Sequence, residues 1–447
     1  MTTRLESDLL GSIALPADAL HGARTQRALE SFPLNGQRPL GSYGTLIQAM
    51  LLVKQAAAFT NRDVGALPAA KAEAIAAAAA DLLAAPRPGL FPVHALHGGG
   101  GVSANMNVNE VLANLAEERL GGRRGQYRLI HPNDHVNLNQ STNDVYPTAG
   151  HLAVILQWRR LRPALETLAE AFAEKADELR DARRLARTCL QDAVEITFND
   201  FFGGYVGGLL RSRDRLTAAV DRLYAVTLGG TIVGRPTDVP SAYFEAILPA
   251  LRALTGDPRY HRADNLFDAF QNPDDLAALS AELELLARSL IKMAQDLRLL
   301  SSGPEAGLGE VVLPAVQPGS SIMPGKINPT VPEFVMQLAF KVMGLHAMCA
   351  AGVDHGELDL NIWEGTMLCG LLEAMELLES ALTVFAEQCV RGLGVDSERN
   401  ARNADTLIPM LTRLSLKYGY STVTAICKEA RGDNLLLREL LAARLGE

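Results

Sequence analysis

Three stretches of this chain, 151–186, 275–300 and 331–351, repeat apolar residues at intervals of three and four with few breakers. That spacing lays a single apolar stripe along a helix over many turns. Helices of such length are not held by propensity, so their stripes must be covered by other helices. The fold class that follows is all-α, built on a long-helix bundle whose stripes suggest continuation across subunits. Glycine, proline and serine gather at 301–306 and 314–325, and the alanine-rich run 76–85 is good helix. The chain divides into 1–138, a mixed helical start, 139–392, the long-helix bundle, and 393–447, a short helical cap.

With 447 residues, 48% hydrophobic and 21% charged, the chain can bury a large core and is not a disordered sequence. Its net charge of −9 argues against nucleic acid or an anionic membrane as partner. An anionic substrate must therefore be drawn in by local groups. The five cysteines, Cys189, Cys349, Cys369, Cys389 and Cys427, form no CxxC and are odd in number, as fits reduced thiols rather than disulfides or a zinc site. The start MTTRLESDLLGS carries charges and no apolar leader, and no run approaches the ~18 apolar residues of a membrane helix. A soluble, cytoplasmic protein is expected.

Four polar patches interrupt this apolar background. Residues 317–333, QPGSSIMPGKINPTVPE, set Ser320, Lys326 and Asn328 in one short arc, hinged at Gly319 and Gly325 and stiffened by Pro318, Pro324 and Pro329. A hydroxyl, a cation and an amide so placed describe a device for removing a proton beside a bound carboxylate. Residues 97–109, HGGGGVSANMNVN, place four glycines before a helix expected from Glu110. Their N–H groups can approach an anion closely, although a flexible turn would look the same. Residues 137–148, NLNQSTNDVYPT, bring Ser141, Thr142 and Asn143 together just before a helix opened by Pro147. Capping needs one such residue, not three. In 187–192, RTCLQD, Thr188 reads most simply as an interior helical threonine bonding back to its own helix.

Taken together, these segments resemble the signature regions of the aspartase/fumarase superfamily, and 319–328 matches its GSSxMPxKxN signature without a gap. LLGSIALPADALHGARTQRA, SANMNVNEVLANLAEERLG, PNDHVN, QSTNDVYPT and DLRLLSSGPEAGL look most like the aspartate ammonia-lyase branch. The likeness covers nearly the whole chain and weakens after about Asn403, with a clipped C-terminal domain. It implies a homotetramer with a central helical bundle, each active site shared by three subunits, and no metal or organic cofactor.

The reaction so implied is β-elimination from a C4-dicarboxylate, yielding fumarate. The C–H beside a carboxylate is weakly acidic, so the dianionic aci-carboxylate must be stabilised. Ser320 would act as the general base, as an alkoxide favoured by backbone N–H groups in a water-poor, closed loop. Ser141 and Thr142, with the N–H groups of 98–101, would hold the charge that develops. Ser321 would bind carboxylate, while Lys326 and Asn328 would fix the other carboxylate. Asn143, Thr188 and Ser103 complete the substrate-binding set that the resemblance implies.

Four positions depart from the family pattern. Val102 stands where a threonine normally donates to the substrate carboxylate, which valine cannot do. Cys189 replaces a fumarase histidine that pairs with a glutamate, leaving Glu333 without that partner. The GTGLN-like turn reads GRPTD at 234–238, bringing in Arg235, a fork for a two-oxygen anion unless Asp238 simply pairs with it. An aspartate-type ammonia-lyase is the first expectation. A lyase expelling nitrite from nitrosuccinate and a fumarate hydratase are the alternatives, the last disfavoured by Cys189.

Overall fold

The computed structural model describes residues 2–446. Its helices are α1 (Ala23–Ser31), α2 (Gly44–Asp63), α3 (Ala69–Ala84), α4 (Val102–Arg119), α5 (Thr142–Glu178), α6 (Phe198–Arg222), α7 (Ser241–Thr255), α8 (Leu266–Gln271), α9 (Asp274–Leu300), α10 (Thr330–Asp354), α11 (Glu364–Phe385), α12 (Ser397–Ala404), α13 (Leu407–Tyr418), α14 (Tyr420–Ala430) and α15 (Asn434–Leu445). Strands occur only as two-stranded pairs among the described residues: β1 (Thr3–Asp8) with β2 (Gly11–Pro16), β3 (Arg183–Thr188) with β4 (Gln191–Thr197), β5 (Ala225–Val226) with β6 (His261–Arg262), and β7 (Val311–Val312) with β8 (Gly394–Val395). The all-α expectation stands.

Two expected helix boundaries move. α4 begins at Val102, not near Glu110, because Gly101 in the left-handed region (φ 90°) turns the chain directly into it. α5 starts at Thr142 and carries Pro147 inside it, so Pro147 does not open the helix. At its other end α5 stops at Glu178, and 183–197 form the β3–β4 hairpin. Thr188 is therefore the last residue of a strand and not an interior helical threonine. The helical period runs on in sequence through Arg183–Ala186, while the β-branched residues that favour a strand lie further on, at Val194, Ile196 and Thr197.

The chain forms two compact units, Met1–Pro163 with Asp214–Ala287 and Phe340–Glu379, and Ala164–Arg213 with Arg288–Ala339 and Ser380–Glu447. In the first, α2 packs on α3 and α7, and α3 on α4. The interior is lined by Leu46, Met50, Val53, Ile75, Val108 and Val111, each buried. In the second, Phe172, Phe198, Phe201, Phe202, Tyr205 and Phe385 make a chain of ring contacts, and Arg184 lies 4.0 Å over Phe201. The C-terminal helices α13, α14 and α15 close on their own cluster of Leu414, Val423, Ile426, Ala430, Leu437 and Leu441.

Candidate active site

The turn 141–144 in the first unit is a capping box. Ser141 Oγ accepts the Asn143 N–H at 3.2 Å, and Asp144 Oδ1 accepts the Ser141 N–H at 2.9 Å. Capping and ligand binding need not compete here. An oxygen that is already accepting keeps its own O–H free to donate, and Ser141 is only half-buried. Thr142 is preset in the same way, because Asn105 Nδ2 donates to its Oγ1 at 2.9 Å. Two neighbouring hydroxyls are thus held as donors, the polarity that a carboxylate demands. Asn143 is turned aside, its Nδ2 donating to the Ile232 carbonyl at 2.9 Å.

Behind this turn lies a buried polar shelf on which the sequence reading was silent. Lys54, on α2 and wholly buried, donates from Nζ to Asn137 Oδ1 at 2.9 Å and to Gln140 Oε1 at 3.0 Å. Asn105 and Asn109 of α4 reach the same Asn137 oxygen at 3.2 Å each. Asp144 is also wholly buried, and its Oδ2 accepts the N–H groups of Gly229 at 3.0 Å and Thr231 at 3.2 Å. Burial pulls the Lys54 ammonium down to about 7 and pushes the Asp144 carboxyl up to about 6. A lone lysine inside the apolar run 46–59 was the available signal for this shelf.

The glycine run ends in an ordered turn. Gly99, Gly100 and Gly101 all have positive φ, and a Cβ on Gly101 would meet the Tyr146 ring at 2.7 Å. His97 Nδ1 lies 2.8 Å from the His94 carbonyl and so must carry the proton, while Nε2 accepts the Ala104 N–H at 3.3 Å. Burial keeps this imidazole below its ordinary pKa and hence neutral. His97 thereby ties the run to the first turn of α4, where Val102 is exposed and Ser103 half-buried.

In the second unit, Thr188 ends β3, and Cys189 (φ 53°) and Leu190 (φ 61°) form the two-residue tip of the hairpin. Such a tip favours Asn-Gly, and two side chains of this size at positive φ are strained. Thr188, Cys189 and Leu190 are exposed. Next to its tip the hairpin is clamped by Glu310, buried completely, whose carboxylate accepts from Arg187 at 2.5 and 3.0 Å and from Asn403 at 2.7 Å. The Glu310 carbonyl also receives Asn400 Nδ2 at 2.7 Å.

That clamp is one root of the loop 317–333, and α10 is the other. Ser320 Oγ accepts two backbone N–H groups, Ile322 at 3.2 Å and Met323 at 3.0 Å. Both stabilise negative charge on that oxygen. Ser320 and Lys326 line one hollow of about 490 Å³ within the loop. Lys326 is exposed and has no ion-pair partner among the described residues. The Gly319 N–H reaches the Lys326 carbonyl at 2.8 Å, and Asn328 Nδ2 reaches the Gly319 carbonyl at 2.9 Å. A Cβ on Gly319 would stand 2.7 Å from the Asn328 nitrogen, so this crossing admits only glycine. Ser321 is exposed at the tip.

Two of the departures find partners. Arg235 Nε bonds Asp238 Oδ1 at 2.6 Å, with its side chain 64% exposed. Glu333, expected to lack a partner, has the Arg298 guanidinium at 3.5 Å, so arginine stands by the carboxylate in place of histidine.

A family model described as Lyase matches residues 11–344. A class II fumarate hydratase of Ralstonia nicotianae is 41% identical, with 99% of this chain and 95% of that protein covered. An aspartate ammonia-lyase of Pseudomonas aeruginosa is 40% identical, with 98% and 93% covered. Among solved structures, a fumarate lyase:delta crystallin from Brucella melitensis bound to cobalt superposes with a TM-score of 0.95 at 40% identity, over 99% of this chain and 96% of that one. A loop whose serine oxygen accepts two backbone N–H groups, two neighbouring hydroxyls, and relatives matched over almost their whole length all lead the same way: the chain belongs to the aspartase/fumarase superfamily of lyases.

Proposed function

We propose that this enzyme catalyses β-elimination from a C4-dicarboxylate of the aspartate type, forming fumarate and releasing ammonia. The observation that carries the reading is Ser320 Oγ, held by two backbone N–H groups beside the free Lys326 cation. As an alkoxide, Ser320 takes the proton from the carbon next to one carboxylate. The C–H electron pair moves into that carboxylate as an aci-carboxylate dianion, which Ser141 and Thr142 hold by donating their O–H groups. Its collapse forms the C=C bond and expels the leaving group from the neighbouring carbon. Lys326 and Ser321 bind the second carboxylate, with Asn328 fixing the loop geometry around it. Ile322 is 84% exposed and Met323 49%, so closing the loop over substrate would bury apolar surface as it excludes water. In this reading the active site is completed by three subunits of a homotetramer. In support, only 22% of the most apolar stretch of α10 is buried within one chain.

The nitrogen leaving group is favoured by Cys189, which offers no imidazole at the hairpin tip. Hydration and dehydration of fumarate is the second reading, supported by the relatives named fumarate hydratase. Nitrite release would need Arg235 to leave Asp238. Fumarate formation followed separately with aspartate, malate and nitrosuccinate tests all three. Turnover of aspartate is expected, and turnover of malate alone would overturn the nitrogen reading. If nitrosuccinate proves to be the substrate, Arg235→Ala should lower its turnover.

A further inference from the structure

We infer that Lys54 is a positioning residue, an internal counter-cation that holds the carboxylate-binding turn in register and supplies the positive charge drawing a dicarboxylate to it. The inference rests on the reading of Ser141 and Thr142 as carboxylate donors. The protein carries a net −9, so its long-range field repels a dianion, and attraction must arise locally. Lys54 has no solvent contact and ends on two side-chain oxygens, Asn137 Oδ1 at 2.9 Å and Gln140 Oε1 at 3.0 Å. Gln140 immediately precedes Ser141. Asn137 connects through Asn105 to Thr142, whose oxygen Asn105 holds at 2.9 Å. Each donor hydroxyl of the turn thus has a short hydrogen-bonded or covalent path to one buried ammonium. A neutral residue could satisfy the packing, but it would leave Gln140 Oε1 without its donor and Asn137 Oδ1 with only the Asn105 and Asn109 amides.

The charged group facing Lys54 is Asp144 from α5, and Tyr243 on α7 faces Asp144 in turn. The α4 groups on this side, Asn105 and Asn109, do not titrate. Asp144 ionises near pH 6 and Lys54 near 7, so above neutrality the shelf loses its cation while the anion stays. A carboxylate arriving at the turn favours the ammonium, and binding should therefore take up a proton above pH 7.

The test uses succinate, a dicarboxylate without a leaving group, titrated calorimetrically into the full-length protein between pH 7 and 9 in buffers of different ionisation enthalpy. Wild type should bind with proton uptake and lose affinity as pH rises. Lys54→Met should bind on the order of ten-fold more weakly at pH 7, with the pH dependence gone. In turnover, KM should rise by more than kcat falls, and Lys54→Arg should restore part of the loss. Succinate binding without proton uptake in wild type, or an unchanged pH dependence in Lys54→Met, overturns the inference. The wild-type measurement decides even where the variant fails to fold. Complete failure of wild type to bind succinate would instead overturn the reading of the turn on which this rests.

Discussion

Ser320, Ser141 and Thr142 differ in task but share one device: an oxygen that already accepts an N–H. For Ser320, two backbone donors lower the cost of an alkoxide. For the other two, a single acceptor bond aims the remaining proton outward. Thr142→Val keeps the shape and removes that proton. Losing one hydrogen bond to a charged group costs about 1.5–3 kcal/mol, so kcat/KM should fall roughly 10- to 100-fold with the fold intact; an unchanged kcat/KM would show that Thr142 does not meet substrate. The loop residues were legible because Gly319, Lys326 and Asn328 sit at fixed spacing within ten residues. Lys54 was not, since its role depends on Asn137 and Gln140, more than eighty positions away along the chain.

Among the elements, the long helices were legible and the hairpin was not. α9 and α10 fall within a few residues of their expected spans because an apolar stripe repeated over many turns is a strong signal. The β3–β4 hairpin has a short period and a tip, Cys189–Leu190, without the glycine or asparagine that marks such turns. Its strain is the price of presenting Thr188 and Cys189 at an exposed end, anchored on the buried Glu310. Leu190→Gly should relieve that strain and stabilise the protein by about 1 kcal/mol, read as a raised denaturant midpoint. A lowered midpoint would show that the Leu190 side chain is held by contacts outweighing its backbone cost.

On the scale of the whole molecule, long apolar helices and exposed aromatic side chains such as Phe340, 52% exposed within one chain, call for more partners than a single chain supplies. Among the described residues, α10 alone is long and apolar enough to cross a membrane by length and composition, against the expectation that no run comes near it. The proposed assembly of subunits would cover this apolar surface. Under the proposed homotetramer, Phe340→Asp should shift the mass measured by light scattering from four chains toward fewer, with activity falling in parallel. A fully active monomer would contradict shared active sites.

Whether Ser320 supplies the base is decided by one paired measurement: fumarate formation and succinate binding by Ser320→Ala, at equal protein concentration with wild type. Loss of a positioned base predicts turnover reduced by about 10²–10⁴-fold or more, with succinate bound as tightly as before. Turnover near the wild-type rate would contradict it.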